Sequence, residues 1–125
     1  MTEFTVHLAN QPGMLACVTE KLAEAGINIE ALAAFGVNEV GVVRVMVDDA
    51  AATRTVLRDN DITFEERPVQ VTTLSHQPGA VASMTRQLAD AGVNIDAMYL
   101  LRSSAEGLEF AIGIDDPDAI PRLAG

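Results

Sequence analysis

The chain has 125 residues, 49% of them hydrophobic, and it carries a formal net charge of −10 at pH 7. A chain of this length can bury roughly two thirds of its unfolded surface in a core. Its acidic surface repels phosphate backbones and anionic lipid, because both are bound mainly through Lys and Arg. We therefore expect no nucleic-acid partner and no membrane partner.

The start of the chain, MTEFTVHLANQPG, lacks the basic segment and apolar run of a signal peptide. No apolar stretch approaches the ~20 residues that span a bilayer. Cys17 is the single cysteine, which rules out an internal disulfide and fits a reducing compartment. We predict a cytoplasmic protein in which Cys17 is a small, partly buried side chain of a helix.

The first half of the chain predicts six elements, in the order β-α-β-β-α-β. They are a strand at 3–9, a helix that opens at Pro12, strands at 27–37 and 41–47, a helix at 50–59 and a strand at 62–66. Pro12 suits the first helical position and Gly26 a left-handed helix end. Asp48 and Asp49 are expected to cap the second helix. A paired-carboxylate metal or acid site is the alternative for these two aspartates.

The second half repeats the first. At an offset of 66, residues 11–31 match residues 77–97 at twelve of twenty-one positions, and Pro78 and Gly92 stand where the first copy has Pro12 and Gly26. The offset becomes 67 across the second hairpin, so one residue was gained there. Asp115 and Asp116 are expected to be helix caps in turn.

The end of the chain differs from the first copy. Pro117 and Pro121 crowd the predicted second helix of the second copy, and the sequence ends before a fourth strand. We therefore predict an α+β fold with two ferredoxin-like βαββαβ units, at 2–67 and 68–125. Their sheets are antiparallel with helices on one face, and the second unit lacks its last strand. Small units with an unpaired sheet edge favour association, so a homodimer is expected.

The Pro-Gly before each first helix predicts a binding site. The first backbone N–H groups of a helix have no intrahelical partner, and with the helix dipole they favour an anion such as a carboxylate. Gly13 and Gly79 let a ligand approach closely, and Asn28 and Asn94 offer amides for an ammonium group. The alternative is structural, because Pro-Gly is an ordinary turn and Asn after Gly often caps one.

These features together resemble the ACT domain, a small regulatory module of amino-acid biosynthetic enzymes. The resemblance rests on a strand, NQPGML, a helix that ends in EAGINIEAL, and the βαββαβ order. It covers residues 2–67 and 68 to about 116. In that family, effectors usually bind between two units, at the loop before the first helix of one and the second strand of its neighbour. By position, the resemblance implicates Asn10, Gln11, Gly13, Met14, Leu15, Asn28, His76, Gln77, Gly79, Ala80, Val81 and Asn94.

Two departures bear on the ligand. Serine-binding members of the family carry a His two residues before the loop Asn, where this chain has Leu8 and Leu74, so a serine-specific site is not expected. The apolar neighbourhood of the loops is more consistent with a hydrophobic or aromatic side chain. Asn10 of the first loop is replaced by His76 in the second, which indicates either unequal sites or drift in a surface loop.

Three functions are compatible with these observations. The resemblance favours a standalone regulatory protein that binds a free amino acid and acts on a partner enzyme or regulator of amino-acid metabolism. The alternative is a scaffold for protein assembly that binds no small ligand. An enzyme is the third, but the sequence offers no Ser-His-Asp or Cys-His set, so we expect no catalysis, no cofactor and no metal.

Overall fold

The structure, a computed structural model, describes residues 1–115. Its elements are β1 (Thr2–Ala9), α1 (Met14–Glu24), β2 (Ile29–Val37), β3 (Val40–Val47), α2 (Ala50–Asp59), β4 (Phe64–Pro68), β5 (Gln70–Leu74), α3 (Ala80–Asp90), β6 (Ile95–Ser104) and β7 (Gly107–Ile114). The chain forms two compact units, Met1–Arg67 and Pro68–Gly125. No helix among the described residues is long and apolar enough to cross a membrane.

The first unit has the predicted order of elements. Its four strands form one sheet in the order β2-β3-β1-β4. β1 pairs antiparallel with β3, and β2 forms a hairpin with β3 in which Val37 pairs with Val40. The last strand lies two residues later than predicted, at Phe64–Pro68.

Alternation along β1 separates the two faces of this sheet. Phe4 and Val6 are fully buried against the helices and pair with Val45 and Val43 of β3. The helices contribute their buried apolar positions to the same core, which consists of Phe4, Val6, Val18, Leu22, Ile27, Val43, Val45, Val47 and Leu57. Burying a side chain of this kind contributes about 1.5–3 kcal/mol relative to leaving it exposed. The helix-facing side of the sheet is therefore the stable part of the unit.

Within residues 68–115, the second unit repeats the start of this plan with a three-stranded sheet, in the order β5-β7-β6, and the helix α3. Its buried cluster is Met84, Leu88, Val93, Ile112 and Ile114. The predictions about Asp116, Pro117, Pro121 and a missing fourth strand concern residues 116–125, outside the described part of the chain.

The additional residue of the second copy lies inside β6. Leu100 pairs with Phe110, and Arg102 pairs with the adjacent Glu109, so Leu101 is extra at an irregularity of the ladder. A bulge of this kind adds one residue to one strand only. The offset between the two copies is thus 66 up to Leu100 and 67 from Arg102 onward.

The helix starts differ from the prediction. Gly13 and Gly79 are the N-caps of α1 and α3, with φ of 86° and 90°, and the helices begin one residue later. Pro12 therefore lies before the cap and not at the first helical position. The prediction was wrong because Gly13 and Gly79 have a left-handed backbone, so each right-handed helix can begin only after its glycine.

The helix ends agree with the prediction. Gly26 and Gly92 have φ of 72° and 73°. In the first unit the Ile27 N–H donates to the Leu22 carbonyl at 3.0 Å, which closes the last turn of α1. Glycine adopts this left-handed geometry without the penalty of a Cβ. Each first helix therefore ends at a residue that the sequence identifies.

Of the two aspartates predicted to cap α2, only Asp49 is a cap. Asp49 is the N-cap of α2 and accepts from a backbone N–H three residues on, at 3.0 Å. Asp48 instead accepts from the Asn28 N–H at 3.1 Å, and its own N–H donates to the Asn28 carbonyl at 3.3 Å. Asp115 and Asn94 form the same pair. These aspartates tie the start of one strand to the end of the next.

Candidate functional site

A cavity of about 140 Å³ lies in the first unit, beside the start of α1. At about 30 Å³ per water molecule it has room for four or so waters. It is lined by Leu8, Ala9, Asn10, Gln11, Met14, Leu15, Ala34, Phe35, Gly36, Gly41, Val42 and Val43. None of these side chains carries a charge, so the cavity suits an uncharged and mainly apolar group.

The cavity owes its space to a pair of glycines. Gly36 of β2 pairs with Gly41 of β3, and neither has a positive φ. Glycine inside a strand often marks a place where another group approaches the backbone closely. A Cβ on Gly36 would lie 2.6 Å from Nδ2 of Asn10, so Gly36 is required for the position of that side chain. Sequence reasoning missed both glycines, although their place inside two strands was a usable signal.

Asn10 fastens the loop to the β2–β3 hairpin. Its backbone N–H donates to the Glu39 carbonyl at 2.9 Å, and its Nδ2 donates to the Asn38 carbonyl at 2.9 Å. The loop at the cavity mouth is thereby held in place before any ligand arrives, which lowers the ordering cost of binding.

The start of α1 leaves backbone donors free. Gly13 has no side-chain cap, and its carbonyl accepts from the Cys17 N–H at 3.0 Å. Within residues 1–115, the N–H groups of Leu15 and Ala16 bond to no protein acceptor. Free N–H groups at the positive end of a helix dipole favour an anion. Met14 and Leu15 line the cavity, so these donors and the apolar space adjoin.

Cys17 also belongs to α1, and it is exposed. We expected a partly buried side chain, but the helix turns Val18 and Leu22 toward the sheet instead.

The second unit has the same backbone at its loop. The Gly79 carbonyl accepts from the Ser83 N–H at 2.9 Å, as Gly13 does in the first unit. Ala80 opens α3, and Val81 is 39% exposed, close to the 38% of Leu15. His76 and Gln77 are exposed as well. The His76 side chain makes no hydrogen bond to any described residue, unlike Asn10.

Asn28 and Asn94 are not brought to the loops of their own units. Asn28 precedes β2, eight residues from Gly36 at the cavity, which is more than about 20 Å along an extended strand. Its Nδ2 donates to Glu30 at 3.2 Å, and that of Asn94 donates to Asp96 at 2.9 Å. Both amides therefore have a local structural role.

A larger cavity of about 380 Å³ lies on the face of the first sheet away from the helices. Its walls are polar, and they are formed by Thr5, His7, Val42, Arg44, Glu65, Glu66 and Arg67. Beside it the buried Glu3 accepts from Nε of Arg67 at 2.9 Å, with Nη1 of Arg44 at 3.9 Å. Glu3, Arg44 and Arg67 lie far apart in the chain and come together only in the folded unit, so no local sequence pattern indicates this cluster. Its arginines are already engaged by a carboxylate.

The described residues hold no group of three His, Cys, Asp or Glu side chains that could bind a metal ion. Asp48 and Asp49, the pair with an alternative metal interpretation, are engaged by backbone N–H groups as described above. Their carboxylates therefore have structural partners.

Residues 1–119 match the sequence family described as an ACT domain pair. A crystal structure of a protein from Bacteroides thetaiotaomicron matches 98% of this chain and 84% of its own, at 27% identity and a TM-score of 0.85. Two structures of the regulatory subunit of aspartate kinase share the fold over 98% of this chain and 88% of theirs. That of Thermus thermophilus, in its ligand-free form, has 20% identity and a TM-score of 0.72, and that of Thermus flavus 21% and 0.64. No curated protein sequence matches the chain.

Proposed function

The chain belongs to the family of ACT domain pairs, and from that premise we propose that it is a regulatory protein that binds a free amino acid. The observation that carries the proposal is the adjacency of free helix N–H groups to an uncharged cavity in the first unit. The ligand carboxylate accepts from the N–H groups of Leu15 and Ala16, and its side chain enters the cavity.

The chemistry of the lining defines the ligand class. The cavity contains no ionisable side chain, and its polar side chains are the amides of Asn10 and Gln11 at the mouth. A charged ligand side chain would lose its hydration there without gaining a partner. We therefore propose an amino acid with an aliphatic or aromatic side chain. The helix N-terminus holds its carboxylate without a cation, in a chain with only eight Lys and Arg residues.

The ligand ammonium needs a hydrogen-bond acceptor as well. The resemblance to ACT domains assigns this role to Asn28 and Asn94, and each lies too far from the loop of its own unit. We therefore propose that the amide comes from a different unit or from a second copy of the chain. A ligand that bridges two units favours one arrangement of them over others, and this population shift is how occupancy reaches a partner enzyme or regulator of amino-acid metabolism.

A thermal-shift screen with each of the twenty amino acids tests the proposal. A ligand at 100 times its Kd stabilises the folded state by about 2.7 kcal/mol, enough for a clear rise in Tm. Leu15→Glu places a competing carboxylate at the donors and should abolish the shift. The matched control, Gln87→Glu, adds the same charge on the exposed face of α3 and should keep it. The proposal fails if no amino acid raises the Tm, or if Leu15→Glu responds like the unaltered protein.

The scaffold alternative rests on a different observation. Phe35, Val37 and Val40, near the turn of the β2–β3 hairpin, are 59%, 66% and 50% exposed, on or beside the edge strand β2. Exposed apolar groups along a sheet edge favour pairing with another chain, and we propose a second copy as the partner. Sedimentation velocity checks this: Val37→Lys should shift a dimer toward monomer. A monomer at all concentrations of the unaltered protein contradicts the homodimer.

A further inference from the structure

The floor of the cavity in the first unit is defined by the register of three strands. Gly41 of β3 lies opposite Leu8 of β1 on one side and Gly36 of β2 on the other. A Cβ built on Gly41 would lie 3.6 Å from the Leu8 carbonyl oxygen and 3.9 Å from its Cβ. These are ordinary contact distances. A side chain at this position would therefore extend over Leu8 into the cavity without disturbing the backbone.

The second unit has such a side chain. Leu108 of β7 pairs with Leu74 of β5 and with Ser103 of β6, so it occupies the place that Gly41 has in the first sheet. Leu74 packs against the buried cluster of its unit, and Leu108 is itself half-buried. Leu108 alternates with Phe110 along β7 and thus shares its helix-facing side.

We infer that, within residues 1–115, only the first unit has an open side-chain cavity between its sheet and the start of its helix, because Leu108 fills the equivalent space of the second. Cavities of this kind then accommodate one aliphatic or aromatic ligand group in the described part of the chain and not two, despite its two Pro-Gly loops. The inference rests on the proposed function only where that group belongs to an amino acid. The occlusion of the second cavity is a property of the fold alone.

The two loops before the helices also differ in how firmly they are held. Asn10 holds the first loop to its hairpin through the Asn38 carbonyl, whereas His76 makes no hydrogen bond to any described residue. The hairpin of the second unit is also extended by Leu101, so its tip cannot reproduce the contacts of the first. The first loop is preorganised for a ligand and the second is not.

Xenon tests the occlusion without reference to any amino acid, because it enters apolar cavities of roughly this size. In methyl-labelled NMR spectra under xenon pressure, the methyl signals of Leu8 and Leu15 should shift and saturate. Those of Leu74 and Val81, their counterparts, should stay unchanged. Shifts in both units, in the second unit alone or in neither would overturn the inference.

Two exchanges of side chain make the test reciprocal. Gly41→Leu gives the first unit the residue of the second and should remove the xenon shifts of Leu8. Leu108→Ala should introduce shifts at Leu74, and Leu108→Val serves as a milder second variant if the alanine variant unfolds. Circular dichroism establishes that each variant is folded. Unchanged xenon shifts in folded Gly41→Leu would contradict the assignment of the cavity.

Calorimetry with the amino acid that gives the largest thermal shift then separates this inference from the proposed function. We expect one ligand per chain, a loss of affinity of at least tenfold in Gly41→Leu, and unchanged affinity in Val81→Glu. Two ligands per chain, or loss of binding in Val81→Glu, overturns the inference. Asymmetric xenon binding without any amino-acid response refutes the proposed function and leaves the occlusion established.

Discussion

The two cavity glycines allow a matched test of how the loop is held. Gly36 and Gly41 face each other in one register, and neither needs a left-handed backbone. Replacing glycine by alanine at such a position stabilises a protein by about 0.4–1 kcal/mol, because the unfolded chain becomes less flexible. Both Gly36→Ala and Gly41→Ala receive this gain, so it cancels when the two variants are compared.

The neighbours of the new methyl group differ. At Gly41 its nearest atom is the Leu8 carbonyl oxygen at 3.6 Å, whereas at Gly36 the Asn10 amide atoms lie at 2.6 and 2.8 Å. The exposed Asn10 side chain must turn away, and it then loses its 2.9 Å hydrogen bond to the Asn38 carbonyl. One such bond contributes about 0.5–1.5 kcal/mol. We expect Gly36→Ala to be less stable than Gly41→Ala by about 1 kcal/mol.

Amide hydrogen exchange in β1 and β3 measures this difference in the first unit. Fluorescence would not, since the chain has no Trp and its single tyrosine, Tyr99, belongs to the second unit. In an Asn10→Ala background the difference between the two glycine variants should disappear, because the clashing amide is absent. Equal stability of the two variants, or a difference that survives in the Asn10→Ala background, would refute the proposed fastening of the loop.

Three further predictions concern stability. Leu22→Ala empties a buried position of the first core and should cost about 2–5 kcal/mol, whereas the surface control Lys21→Ala should cost no more than about 0.5 kcal/mol in urea denaturation. Asp49→Ala removes the cap of α2 and should lower the free energy of unfolding by about 1 kcal/mol in the same measurement. An unchanged free energy of unfolding would contradict this role of Asp49. The Arg54 guanidinium, by donating to Glu66, holds the pKa of that carboxyl below its ordinary value of 4.5. The contribution of this ion pair to the free energy of unfolding is therefore full above pH 4.5 and is lost as the pH falls through the lowered pKa. The loss of stability in Arg54→Gln should accordingly shrink in acid, and a loss that is independent of pH would contradict this.

Most of the fold follows from local patterns. The alternating strands, the left-handed Gly26 and the cap Asp49 each depend on residues that lie close together in the chain, and the structure has them where the sequence predicts. The start of α1 was predicted two residues too early, at Pro12, because Gly13 is the cap and the helix begins at Met14. β4 was misplaced by two residues because its pairing to a strand sixty residues earlier, and not its composition, decides where it ends.

The site was less accessible to sequence reasoning. The loop residues were predicted from helix-end chemistry and from the ACT resemblance, and their role in binding stays a prediction. The cavity floor was missed because it exists only where β2, β3 and β1 come into register, which places Gly36 opposite Gly41 in the cavity lining. Glu3 and its arginines were missed for the same reason, since Arg67 is sixty-four residues away in the chain.

The bulge at Leu101 shows how two copies of one sequence can diverge. One added residue in a strand would turn every later side chain to the opposite face of the sheet. The bulge confines the added residue to one point of β6, so Phe110 and Ile112 still face the core although the hairpin is one residue longer. A duplicated unit can thus gain a residue near its hairpin and keep its core, so two copies of one sequence can share a fold while their hairpins differ.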